Sequence, residues 1–111
     1  MTRKAAIANT GSYKKGLIET LKDPQEAQVY LEGALSGCEE TGEIAGLLLA
    51  LRHVAEAQGG VGGLARRAGV NREHLYRVLS SRSKPMADNL LAIIAGLGFR
   101  VRLEPQGVPA R

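Results

Sequence analysis

Arg72, Glu73, Tyr76 and Arg77 are the side chains of this sequence whose types and spacing best suit chemistry. If the stretch is helical they share one side of it, while Leu75 and Val78 fall on the other. A guanidinium such as that of Arg72 can give two parallel hydrogen bonds to guanine, and the Glu73 carboxylate can accept from cytosine. With Tyr76 and Arg77 they form a face of the kind that reads bases in a DNA major groove. Groups suited to phosphate surround it: Asn71, Ser80, Ser81, Arg82, Ser83 and Lys84, and the backbone amides that open a helix at Gly62.

Such a face needs a scaffold, and Val61 to Ser81 reads as one: a short helix, a tight turn at Gly69 and a second helix after Asn71. Ala65 is small where the helices cross, Gly69 relieves strain in the turn, and Val70 plugs the corner. Leu64, Leu75 and Val78 pin the pair together, and Asn71 can cap the second helix. These offsets are those of a helix-turn-helix. His74 falls beside the inward stripe and reads as a packed or half-exposed residue rather than a base reader.

The elements before it are helical. Residues 1–12 lack periodicity and read as a flexible tail. Tyr13, Leu17, Ile18 and Leu21 suggest a short helix despite Gly16. Asp23-Pro24-Gln25-Glu26 is a start signal in which Asp23 caps, Pro24 takes the first helical position and Glu26 can complete a capping box. Ala27, Tyr30, Leu31, Ala34 and Leu35 form the inward stripe of that helix, and Gly37 is expected to end it. Cys38 to Glu43 then reads as an acidic connector. A central helix over Ile44–Gln58 buries Ile44, Leu47, Leu48, Leu51, Val54 and Ala55, and Gly59-Gly60 stops it. His53 on this helix reads as partly buried or at the surface.

After the basic loop Arg82-Ser83-Lys84-Pro85, a helix spans roughly Ala87 to Leu97, with Leu90, Leu91, Ile94 and Leu97 inward and Gly98 closing it. Phe99-Arg100-Val101-Arg102-Leu103 alternates as a half-buried strand does. A lone strand leaves its backbone groups unpaired. The expected resolution is pairing through Phe99, Val101 and Leu103 with the same strand of a second chain, or with another protein. The alternatives are a solvated extended tail or pairing with Ala5–Ala8. Residues 105–111 read as a second flexible tail. The fold expected is all-α, one domain over residues 13–104 with about five helices and a short C-terminal β-strand.

Charge is segregated. Residues 1–22 carry five Lys/Arg against one acid, 23–59 one Arg against seven acids, and 61–85 six Lys/Arg against Glu73 alone. A basic helix-turn-helix beside an acidic body suits a polyanion partner such as double-stranded DNA. Arg3, Lys4, Lys14 and Lys15 can touch phosphate or anionic lipid, but read as a solubilising start. No apolar run approaches the roughly 20 residues that cross a bilayer, and the first residues lack the apolar core of a signal peptide. With one cysteine, Cys38, the expectation is a cytoplasmic protein outside the membrane. Gly60-Val61-Gly62-Gly63-Leu64-Ala65 mimics a nucleotide-binding pattern but follows a helix, where that pattern needs a strand. Cys38, His53 and His74 are too scattered for a metal site, and no catalytic set appears. No enzyme activity, metal or cofactor is expected.

These residues together resemble the bacterial addiction-module antidote proteins, antitoxins with a lambda-repressor-like (XRE/HigA-type) helix-turn-helix. The resemblance covers Tyr13 to about Glu104. Its phrases are Leu21-Lys22-Asp23-Pro24, Tyr30-Leu31-Glu32-Gly33-Ala34-Leu35, Ala50 to Gly60, Arg72 to Ser80, and Leu97-Gly98-Phe99-Arg100-Val101. It implies an all-helical homodimer that represses its own operon and neutralises a small RelE/HigB-like toxin. Carried over by position, Arg72, Glu73, Tyr76 and Arg77 would read the operator, and Lys84 would lie in the loop that meets its backbone. The chain departs from the family where the loop usually reads Gly-Asn-Pro and where a Ser-like cap usually opens the next helix; here stand Arg82-Ser83-Lys84-Pro85 and Met86-Ala87. A stand-alone regulator, or a toxin-binding partner whose helix-turn-helix is only a scaffold, would share these features.

Overall fold

A computed structural model describes residues 10–80 and 82–106. Its six helices are α1 (Thr10–Thr20), α2 (Pro24–Thr41), α3 (Ala45–Ala57), α4 (Val61–Ala68), α5 (Arg72–Val78) and α6 (Ala87–Gly96). The class is all-α, as expected, and the described residues carry six helices where about five were anticipated. None of these helices is long and apolar enough to cross a membrane. The first of them starts at Thr10, inside the stretch read as a tail. Residues 1–9 and 107–111, and with them the rest of both expected tails and any pairing with Ala5–Ala8, lie outside the described residues.

The core is built around α3. Leu47, Leu48, Ala50, Leu51, Val54, Ala55 and Ala57 are all buried, so the helix is covered on most of its circumference rather than along one stripe. α1 and α2 pack against it, and α4 follows it into the remaining core. α1 contributes Leu21 from its end, with Leu17 and Ile18 half-buried.

α2 starts as its residues dictate: the Asp23 carboxylate accepts from the Gln25 amide at 2.9 Å. The expected reply from Glu26 is absent, because the Asp23 amide already donates to the Thr20 carbonyl at 3.2 Å. The other end needs correcting too. Gly37 does not stop the helix, which continues through Cys38 to Thr41 and closes at Gly42. Gly42 has the left-handed conformation (φ 78°) and donates its amide to the Cys38 carbonyl. Glycine within a helix weakens it without ending it unless the next residues also leave helical geometry, and Cys38-Glu39-Glu40-Thr41 do not. The acidic connector thus shrinks to Gly42–Ile44.

α6 is rotated from its expected setting. Leu91 is 53% exposed, whereas Ile93 is 1% exposed and Leu97 is also buried. The seam runs through Leu90, Ile93, Ile94 and Leu97, a helical spacing as regular as the one that includes Leu91. Gly96 decides between them: it lets α6 approach α4 so closely that a Cβ built there would lie 2.7 Å from Leu64 Cδ1.

The expected strand is not formed, and no strand occurs among the described residues. Phe99 is recruited instead into the end of α6. Gly98, at φ 93°, turns the chain so that its amide reaches the Ala95 carbonyl at 2.9 Å and the Phe99 amide reaches that of Ile94 at 3.1 Å. This is a Schellman closure, with the following apolar side chain folded back on the helix, and Phe99 packs half-buried against the core. Val101 and Leu103 follow outside any regular element, exposed, with no neighbouring strand among the described residues to complete a ladder.

One polar contact joins α2 to α3. The Tyr30 hydroxyl lies 2.7 Å from His53 Nδ1, and the rings stack at 6.1 Å. Burial lowers the His53 pKa; Glu56 opposes this, while Lys14 and Arg52 reinforce it. A histidine with a lowered folded pKa adds stability that is complete above its unfolded value, about 6.5, and is lost as pH falls through the folded value. Urea midpoints at pH 7.5 and pH 5 are therefore expected to differ, with the acid sample less stable. His53→Gln should flatten that difference, and an unchanged pH dependence in the variant would count against His53.

Candidate nucleic-acid interface

α4 and α5 are joined at Gly69–Asn71, and the turn is held from within. Gly69 takes φ 71°, the Val70 amide donates to the Ala65 carbonyl at 3.0 Å, and the half-buried Val70 side chain seats against the core. The Asn71 side-chain oxygen then accepts from the Glu73 and His74 amides at 2.8 and 3.0 Å. Two of the amides that open α5 are thereby satisfied. Asn71, singled out for phosphate, thus spends its acceptor on the helix and retains only its side-chain amide group for a ligand.

With its start fixed, α5 buries Leu75 and Val78 and leaves Arg72, Glu73, Tyr76 and Arg77 exposed. His74 is half-buried beside the seam. The Arg72 guanidinium stands 5.9 Å from the centre of the Tyr76 ring, a cation–π distance. Its side chain also lies over the first turn of α4, where a Cβ on Gly62 would meet Arg72 Nε at 3.6 Å. Gly62, Arg72 and Tyr76 are therefore one contiguous group. Gly62 belongs to the opening turn of α4, whose amides have no carbonyl before them within the helix.

The loop after α5 continues this surface along the chain. Ser80 is half-buried with its amide on the Arg77 carbonyl at 3.1 Å, and the Ser83 amide donates to the Ser80 carbonyl at 3.0 Å. Arg82 and Lys84 are exposed, and Ser81 lies outside the described residues. Phe99, Val101 and Leu103 do not join the group.

Arginines that the sequence reading did not single out divide into two roles. Arg66 is exposed in the last turn of α4 and adds to the positive charge. Arg67 is structural: its Nε donates to the Gly96 carbonyl at 2.9 Å and its Nη2 to Gln58 Oε1 at 3.1 Å. Gln58 in turn donates to the Leu97 carbonyl at 2.8 Å. The ends of α3, α4 and α6 are tied by this chain, and no local pattern in the sequence signals it. Ion pairs among the described residues are Lys14–Glu56, Lys22–Glu19 and Arg52–Glu56. None takes a cation from α4, α5 or the loop that follows, so that surface keeps its positive charge for an outside anion.

A family model described as a probable addiction module antidote protein matches residues 13–105. A search of curated proteins and a search of solved structures each found no match. The matched span takes in α1 from Tyr13 through α6 and the segment beyond it, nearly all of the chain described above. On that span the chain belongs to the probable addiction module antidote protein family, and its role is that of an antitoxin.

Proposed function

We propose that this antitoxin is a homodimeric, sequence-specific DNA-binding repressor of its own operon and that its partner is a small RelE/HigB-like ribonuclease toxin. The observation that carries the reading is α5 itself. It is buried only through Leu75 and Val78 and offers Arg72, Glu73, Tyr76 and Arg77 to solvent within a segment of six Lys/Arg and one acid. In this reading α4 and α5 form a lambda-repressor-like (XRE/HigA-type) helix-turn-helix, and α5 enters the major groove. The opening amides of α4 at Gly62, with Asn71, Ser80, Ser81, Arg82, Ser83 and Lys84, take the flanking phosphates. Exposed Val101 and Leu103, in a segment whose backbone groups bond to no other described residue, support pairing with a second copy. Phe99 supports it only indirectly, since its own helix already uses it. Two subunits then address half-sites about 34 Å apart or a multiple of that. The protein acts in the cytoplasm.

Footprinting on the DNA upstream of the operon, with and without toxin, tests the reading. A protected site with two-fold symmetry is expected. No protection under either condition would leave α4 and α5 as a scaffold and sink the repressor. Lys84→Ala should weaken binding to all duplexes alike and make the fall of log K with log salt shallower by roughly one unit. An unchanged slope would remove Lys84 from the phosphate contacts.

A further inference from the structure

An open, largely apolar groove of about 700 Å³ runs between α2 and α3. We infer that it is the surface on which the toxin docks, taking from it a segment with an apolar side chain flanked by Lys or Arg; this rests on the toxin partner being the ribonuclease proposed above. Tyr30, Ala34 and Ala50 are among its lining residues, and so is Val29, which is 67% exposed. Gly33, Gly37 and Gly46 hold it open: a Cβ on any of them would meet nothing within 4 Å. Each of these glycines weakens its helix relative to alanine, yet no neighbour among the described residues comes close enough to need the missing side chain. Their use is the space itself.

Charge selects the occupant. Glu43 lines the groove, and Glu26 and Glu40 fall on the same row of α2 as Gly33 and Gly37. α2 contains no Lys or Arg. The one arginine of α3, Arg52, faces Glu56 at 3.7 Å. A groove so bordered repels DNA and attracts a cationic surface. An enzyme that holds RNA must carry such a surface to bind the phosphates. Docking here would cover those charges while leaving α5 free, because α2 packs chiefly on α3.

The test uses the full chain and the protein encoded by the reading frame adjoining its gene. Gly37→Leu and Gly33→Leu project into the open groove from positions where a Cβ meets nothing within 4 Å and replace a helical glycine, so both variants should melt no lower than the parent. Each is expected to weaken binding of the adjoining protein about tenfold or more. Glu40→Lys combined with Glu43→Lys should also weaken it and make it less sensitive to salt. If the parent binds and these variants bind equally well, the groove is not the docking surface, while the antitoxin reading stands. If the parent itself does not bind, the toxin assignment fails and this inference with it. Should Gly37→Leu instead dissociate an oligomer of the isolated chain, the occupant is a second copy and the inference is overturned.

Discussion

Leu64→Ala is expected to destabilise the protein by about 2–5 kcal/mol, and a second change should give part of that back. Leu64 is fully buried in α4, and its Cδ1 occupies the space a methyl group would take on Gly96 of α6. Gly96→Ala alone forces that methyl group to within 2.7 Å of Leu64 and 3.3 Å of the Ala68 Cβ. Such overpacking costs about 1–3 kcal/mol, less the gain of up to about 1 kcal/mol from alanine's better helix propensity. With Leu64 cut back to alanine the tighter of the two contacts is gone, only the 3.3 Å approach to the Ala68 Cβ remains, and the added methyl group fills part of the cavity. The double variant should therefore be more stable than the sum of the single losses, by about 0.5–3 kcal/mol. Urea midpoints of the four proteins measure this directly. Additive losses would mean that α4 and α6 do not meet at these two residues. Because Leu64 anchors α4, the single variant should also loosen the platform that presents α5.

Arg72→Ala should lose sequence discrimination rather than DNA affinity in general. A lost bidentate contact to guanine is worth roughly 1–3 kcal/mol against the operator, whereas a random duplex loses only one distributed charge. The free protein already holds the Arg72 side chain between the Tyr76 ring and Gly62, so less of its freedom remains to be lost on binding. Competition between an operator fragment and a random duplex at fixed salt gives the ratio. Equal losses on both would assign Arg72 to phosphate and empty the proposed reading face of its main member.

Where the governing physics is local, the sequence reading and the structure agree. Gly69 and Asn71 mark a turn and a cap through bonds that span two to five residues, and both stand where the sequence puts them. The apolar offsets of Leu64, Ala65, Leu75 and Val78 name the buried side of α4 and α5, which leaves the exposed four by subtraction. Agreement ends where two local solutions are equally good. Gly37 and Gly42 can both end α2, and Leu91 and Ile93 both satisfy a helical stripe on α6. Phe99 fits a strand by alternation and a Schellman closure by its place after Gly98.

By itself, the sequence determined the all-α class, though with a strand after Gly98 that does not form, the start of α2 at Asp23-Pro24, the turn at Gly69, the side of α5 left to solvent, and a positive segment next to an acidic one. Tertiary structure alone decided that Ile93 rather than Leu91 enters the core, that Gly96 rests against Leu64, and that Arg67 serves the scaffold. It also decided that Gly33, Gly37 and Gly46 border an open groove. Helix caps and periodicity depend on neighbours a few residues away and can be read in any window. The contacts of Arg67 and Gln58 with the end of α6 join residues 29 and 39 positions apart. Their partners become defined only when the helices have packed.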